Sequence, residues 1–484
     1  MPSEIRAHPS ARRVFCPSLA RWLSCITLAA ALANQTAGAA DARGRIIDSV
    51  VCRTDAAQSY ALYVPSTYTQ EKPWPVILCF DPGARGRTPV ERFQAAAEKF
   101  GYVVAGSLNS RNGPYEANIA AARAMLKDLG SRLRLDPGRV YSAGLSGGAR
   151  VATQLALMGL AHGVIACSAG FPDPVDGVPL HLGFPFYSTT GTEDFNQSEL
   201  RQLDALLEDR KATHRLIVFT GGHEWASATL LGDGVAWLHL QAMRTGAEPR
   251  NEATIQTVLQ ERLAALPVAP APERWRALQA LAADFNGLAD TAGYGREAKT
   301  LADTREVKQW QKGERARLKQ EQAQREDLAE VALNGSPAAI QKMAAGLRQA
   351  ADAADDSPER QMARRVIGGF STNARETIRV AFEQEEYATA AGMLEAMAAL
   401  HPGQSRTDYD LARARALDGD RKRALAALVL AVDAGYRDLA KIQSEPAFKK
   451  LTGDPGFREL VAKIESPAGR TPAPEGAVAD PDAR

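Results

Sequence analysis

Little in this chain can hold a metal ion or a disulfide framework. Its 484 residues include only 7 histidines and 5 cysteines, and no pair of either type has the short spacing that ligands of one ion require. Charge of one sign is also missing, because 58 basic and 57 acidic residues leave a formal net charge of +1. Such a balance creates no field that would recruit nucleic acid or an anionic membrane. The apolar run near the N-terminus, 22–33, falls well short of the roughly 20 residues that span a bilayer. Two cysteines, Cys16 and Cys25, lie in or before that run, leaving Cys52, Cys79 and Cys167 spread widely. An odd, scattered set is no disulfide scaffold. Cys79 and Cys167 sit inside apolar runs, where free cysteine behaves as a small core residue.

What the N-terminus does contain is an order. Arg12, Arg13 and Arg21 precede the apolar run, and Ala37-Gly38-Ala39-Ala40 and Asp41 follow it. Charged, then apolar, then small is the order of a secretory signal peptide, so residues 1–40 are expected to be removed near Ala39 or Ala40 and the mature chain exported, to the periplasm or beyond. The pair Arg12-Arg13 is separated from the apolar run by Arg21, which leaves the export route open.

With 45% hydrophobic and 24% charged residues, the remainder is too long for one ordinary core and too balanced to be disordered, so two folded regions are expected. Residues 41–248 alternate short apolar or β-branched runs (59–64, 76–80, 102–106, 140–143, 163–168, 185–189, 216–219) with stretches of helical periodicity such as 89–100, 115–133 and 148–160. That alternation predicts an α/β domain with a mostly parallel sheet and helices on both faces. Beyond Trp237 the strand-like runs vanish, and 249–466 is expected to be all-α, with a hinge near 267–272 and a polar, solvated helix over 305–331. Within it, 385–399, 409–418 and 422–434 read as helix, turn, helix, turn, helix. With Asp454-Pro455-Gly456-Phe457 as sequel, the region 385–436 loosely resembles a tetratricopeptide repeat, which must stack on earlier helices to bury its face. The tail 467–484, rich in proline, alanine and aspartate, is expected to be disordered.

The chemistry concentrates at Gly144-Leu145-Ser146-Gly147-Gly148. The pentapeptide fits G-x-S-x-G, follows a strand and opens a helix, as a nucleophile elbow must, and its glycines remove side chains that would collide at the sharp turn. A serine hydroxyl is a weak nucleophile, so the chain has to supply a base and a carboxylate to orient it. Asp194 follows the strand 185–189, and His223 follows the strand 216–219 in the run Thr220-Gly221-Gly222-His223. Both stand at strand ends, where such sheets place their sites. Glu193, Asp173 and Asp176 also qualify as the acid, and the remaining histidines lie in helices or before strands. The Gly147 backbone N–H, next to the nucleophile, is the natural first oxyanion donor.

On these residues, together with Asp136-Pro137-Gly138-Arg139-Val140-Tyr141 leading into the elbow, the stretch 59–237 resembles the α/β-hydrolase superfamily. It is most similar to exported esterases related to polyhydroxybutyrate depolymerases and feruloyl esterases. The resemblance covers under half the chain and implies ester hydrolysis through an acyl-enzyme, with no metal or organic cofactor. The order serine, acid, histidine is that of the superfamily, which also includes peptidases, thioesterases and lipases. Asp81-Pro82 stands where esterases of this kind have His-Gly; Pro82 has no N–H, so Gly83 is the expected second oxyanion donor, with Ala84 the alternative. Only 171–184 separates two strands where a lid would sit, so an open site for accessible esters, small or polymeric, is expected. Arg85, Asn109, Arg111 and Asn112 are candidates to bind substrate, and Trp225 to form a wall. Two other readings stand beside this one: an exported serine peptidase of the prolyl-oligopeptidase type, and a scaffold whose helical half recruits a protein partner or a second copy.

Overall fold

The computed structural model describes residues 43–173, 177–268 and 270–466; the expected signal peptide and C-terminal tail lie outside them. Eight strands form one sheet: β1 (Ile46–Cys52), β2 (Asp55–Tyr63), β3 (Trp74–Phe80), β4 (Val103–Ser107), β5 (Leu135–Leu145), β6 (Val164–Cys167), β7 (Phe186–Gly191) and β8 (His214–Phe219). Their order is 1-2-4-3-5-6-7-8. The pairs β1–β2 and β2–β4 are antiparallel and every other pair is parallel. This is the expected α/β-hydrolase architecture.

The central strands are covered on both faces, which is why they read as unbroken apolar runs. All seven residues of β3 are buried. Successive side chains then diverge: Val76, Leu78 and Phe80 join one core and Ile77 and Cys79 the other. The first core is closed by α2 (Tyr115–Arg132), α3 (Gly147–Leu157) and α4 (Gln197–Asp209), and the second by α1 (Arg87–Phe100) and α5 (Ala228–Thr245). No strand is expected at β1 from the sequence. Its Ile-Ile and Val-Val doublets break the period-2 pattern, and its register against β2 shifts twice.

Past the sheet the chain is all helical: α6 (Glu252–Ala264), α7 (Ala271–Asp284), α8 (Ala292–Ala302), α9 (Arg305–Asn334), α10 (Pro337–Ala351), α11 (Pro358–Glu383), α12 (Tyr387–Leu400), α13 (Ser405–Leu417), α14 (Arg421–Asp433), α15 (Leu439–Ser444) and α16 (Pro455–Glu465). The break expected near 267–272 falls between α6 and α7. Leu240 and Met243 of α5 share a core with Ile255 and Val258 of α6 and Leu281 of α7, and the Trp237 indole donates to Asp284 at 2.8 Å. These first helices therefore pack directly onto the sheet's own outer helix. The helices α12, α13 and α14 match the three expected over 385–434 and stack through small residues such as Ala390, Ala412 and Ala424. The polar helix α9 departs from expectation, because Glu321 at its middle is 1% exposed. It is enclosed by Arg365 and Arg325, a pairing that period and polarity alone do not reveal.

Candidate active site

Ser146 stands where β5 gives way to α3, with φ 54° and ψ −122°. For a residue with a Cβ this left-handed conformation costs about 1–3 kcal/mol and persists only where the surroundings enforce it. They do so through backbone crowding. A Cβ on Gly144 would lie 2.1 Å from the Gly148 carbonyl oxygen, and one on Gly148 would lie 2.1 Å from that of Phe80. Both glycines are thus fixed by close approach of chain to chain. The Ser146 N–H donates to the Cys167 carbonyl at 2.8 Å, tying the elbow to the end of β6. Burial pushes the neighbouring Cys167 thiol up to about 11, so it stays a neutral core group at neutral pH.

Asp194 and His223 meet. The Asp194 carboxylate is fully buried and accepts from His223 Nδ1 at 2.8 Å, from the Asn196 N–H at 2.9 Å and from Thr190 Oγ1 at 3.1 Å. A carboxylate only accepts, so Nδ1 carries a hydrogen, and in the neutral imidazole Nε2 is the acceptor. The loops bearing the two residues are themselves in contact, since a Cβ on Gly191 would lie 2.3 Å from the Gly221 carbonyl oxygen. Phe195 stacks on the His223 ring with centroids 3.9 Å apart and planes at 21°. Ser168, at φ 59°, joins the remaining ends: its hydroxyl donates to the Glu224 carbonyl at 3.3 Å and its own carbonyl accepts from Asn196 Nδ2 at 2.8 Å. Neither Phe195 nor Ser168 carries a sequence signal.

The rival acids fall elsewhere. Glu193 turns to Arg364, whose Nη1 donates to both its oxygens at 2.9 and 3.0 Å; Asp173 remains in the loop after β6, and Asp176 lies outside the described residues. Among the other histidines, His239 packs against Tyr102 and Phe100, His214 pairs with Asp204, and His401 bonds Ser371.

The loops after β3, β4 and β8 correct three expectations. Gly83 is not a free oxyanion donor, because its N–H is bonded to Asp81 Oδ1 at 2.9 Å; the Ala84 N–H is likewise taken by the Asp81 carbonyl at 3.1 Å. Trp225 is not a pocket wall: it is 4% exposed, and its indole N–H donates to Asp81 Oδ2 at 2.8 Å. Asn109 spends its carboxamide on β2, accepting from the Ser59 N–H at 2.7 Å and donating to the Ala57 carbonyl at 2.9 Å. Asp81, fully buried, organises this corner, because it also holds Arg85 Nε at 2.9 Å. Arg111 is exposed, and its backbone bridges that of Gly83. Asn112 lies at the elbow. A Cβ on Gly147 would stand 2.0 Å from its Oδ1.

No protein-family model matches the sequence, and no curated protein is detectably similar to it. Solved structures similar to part of the chain include a feruloyl esterase module from Clostridium thermocellum complexed with sinapinate, at 14% identity, covering 40% of this chain and 86% of the module with a TM-score of 0.33. An esterase from Pyrobaculum calidifontis is 13% identical, covering 44% of this chain and 92% of its own with a TM-score of 0.33. A fluorophosphonate-binding serine hydrolase from Staphylococcus aureus is 12% identical, covering 37% of this chain and 92% of its own with a TM-score of 0.31.

Proposed function

We propose that this chain is an exported serine hydrolase that cleaves carboxylic esters through an acyl-enzyme, with Ser146 as nucleophile, His223 as base and Asp194 as the group that orients it. The observation that carries the reading is the 2.8 Å bond from His223 Nδ1 to the buried Asp194 carboxylate, made at the same C-terminal end of the parallel strands as a serine held at φ 54°. In this mechanism Nε2 takes the Ser146 proton as Oγ attacks the ester carbonyl. The developing oxyanion faces the Gly147 N–H at the start of α3, where the helix dipole adds to the donor. Asn112, whose carboxamide lies against Gly147, is the candidate second donor in place of Gly83, through Nδ2 and not through Oδ1, which only accepts. Collapse transfers the proton from His223 to the leaving alcohol, and water, deprotonated by the same imidazole, releases the acid. The substrate reading is an ester on an accessible molecule, with residues 41–248 as the catalytic unit and 249–466 as the helical one.

The test is labelling of purified protein by a fluorophosphonate, beside Ser146→Ala and His223→Ala, followed by p-nitrophenyl esters of rising chain length. Wild type labels and turns over, and both variants lose at least about 10³-fold in rate, in line with removal of a residue from such a unit. A folded wild type that neither labels nor hydrolyses any member of the series overturns the reading.

A further inference from the structure

Both flanks of Asp194 are held from the helical region. Arg365 of α11 donates Nη1 to the Thr192 carbonyl at 2.6 Å, and Arg325 of α9 donates Nη2 to the Phe195 carbonyl at 2.9 Å. Between these two backbone anchors, Arg364 of α11 grips the Glu193 carboxylate. The two anchoring guanidiniums are in turn fixed by one carboxylate. Glu321 Oε2 accepts from Arg365 Nε and Nη2 at 2.9 and 2.7 Å, while Oε1 accepts from Arg325 Nη2 at 2.8 Å. Glu321 and Arg365 are 1% and 6% exposed. A planar guanidinium held along one edge by a carboxylate has its remaining N–H directions set, so the pair aims Arg365 at one carbonyl rather than merely attracting the loop. Gly368 completes the docking: a Cβ there would meet Phe195 Cβ at 3.4 Å, so α11 comes right up to the residue stacked on His223.

A buried ion cluster is a poor source of adhesion, since desolvating its charges consumes most of what their attraction gains and apolar side chains would dock the surfaces at least as well. What the cluster supplies is direction, and its targets are the two carbonyls that bracket Asp194. We infer that α9 and α11 are a positioning element of the active site, with Glu321, Arg365 and Arg325 setting the Thr192-to-Phe195 loop and through it the Asp194 carboxylate and the Phe195 ring against His223. The inference rests on the ester-hydrolase reading above. Catalysis is sensitive to displacements of about 1 Å, which cost on the order of 10²-fold, so a loop freed from these anchors turns over slowly even where the protein stays folded.

The experiment uses the full chain. Glu321→Leu with Arg365→Met removes both buried charges together and leaves only the partly exposed Arg325 without its carboxylate, and Arg365→Lys keeps a positive charge beside Glu321 while losing the fork. Active sites are counted by fluorophosphonate titration, and kcat and KM for p-nitrophenyl acetate are expressed per titrated site. Both variants are expected to lose at least tenfold in kcat with KM within threefold. A kcat per site within twofold of wild type, including the case where total activity falls only because fewer sites titrate, overturns the inference and leaves the ester-hydrolase reading standing. A wild type that does not titrate at all removes that reading and this inference with it.

Discussion

Replacing Trp225 by Phe tests whether Asp81 is the fastener between the loop after β3 and the loop that bears His223. The Asp81 carboxylate makes four bonds: Oδ1 to the Gly83 N–H and Arg85 Nε, both at 2.9 Å, and Oδ2 to Arg85 Nη2 at 3.2 Å and Trp225 Nε1 at 2.8 Å. The indole bond is the shortest and joins positions 144 residues apart. A hydrogen bond to a charged, buried group contributes about 1.5–3 kcal/mol, and the smaller ring adds a packing loss of about 1 kcal/mol. Trp225→Phe is therefore expected to cost about 2.5–4 kcal/mol. Asp81→Asn turns one acceptor into a donor facing other donors and costs a similar amount, yet the double variant recovers part of it because the clash with the indole disappears. A urea titration of the four proteins, read as midpoint shifts at constant slope, gives the coupling directly. A coupling of about 1.5–3 kcal/mol is expected. A value under about 0.5 kcal/mol refutes the reasoning and returns Trp225 to the status of a packing residue.

Two further outcomes follow from particular contacts. Gly147→Ala places its Cβ 2.0 Å from the end of the exposed Asn112 side chain, which can swing away, whereas Gly148→Ala drives a Cβ to 2.1 Å from the Phe80 backbone oxygen, which cannot; Gly147→Ala should melt within a few degrees of wild type but label with fluorophosphonate at least tenfold more slowly, and Gly148→Ala should fail to accumulate as folded protein, both read by thermal melts and gel fluorescence. His239 is lowered from 6.5 to about 4 by burial, with Arg139 adding repulsion, so the unfolded chain binds its proton first: the stability from neutral His239 is complete above pH 6.5 and is lost as pH falls through 4, on the order of 3 kcal/mol in all. His239→Gln should flatten the fall in unfolding free energy between pH 7 and 4 by that amount, and an unchanged slope contradicts the assignment.

The site was legible in the sequence wherever chemistry dictates both residue type and position. A hydroxyl lifted off a strand-to-helix turn needs glycines around it, so Gly144, Ser146 and Gly148 form a local pattern, and the backbone contacts that a Cβ would violate explain it. Asp194 and His223 stand out because each follows a strand end by a few residues; the two side chains meet, whereas Glu193 faces Arg364. The substrate-side residues failed for one shared reason. The Asn109 carboxamide and the Gly83 amide are expected to be free and Trp225 to face the site, whereas partners in neighbouring segments occupy all three.

The helical region misled in a more instructive way. Sequence polarity over 305–331 reads as a solvated face because Glu, Arg, Lys and Gln dominate, and for most of α9 that is right. Glu321 breaks the rule, since its neutralising partners are Arg325 one turn along and Arg365 on a helix 44 residues away. No periodicity distinguishes such a carboxylate from its exposed neighbours, because burial of a charge depends on whether a distant opposite charge docks beside it. The same holds for Arg364 and Arg365, which look like one more basic pair on an amphipathic helix and yet reach the loop at 192–195 across 171 and 173 residues. Sequence singles out Ser146, Asp194 and His223 because each follows a strand at one end of the sheet. It does not single out the groups that hold the loop of Asp194, because those obey only the docking of one region against another, and in this chain that docking converges on the Thr192 and Phe195 carbonyls.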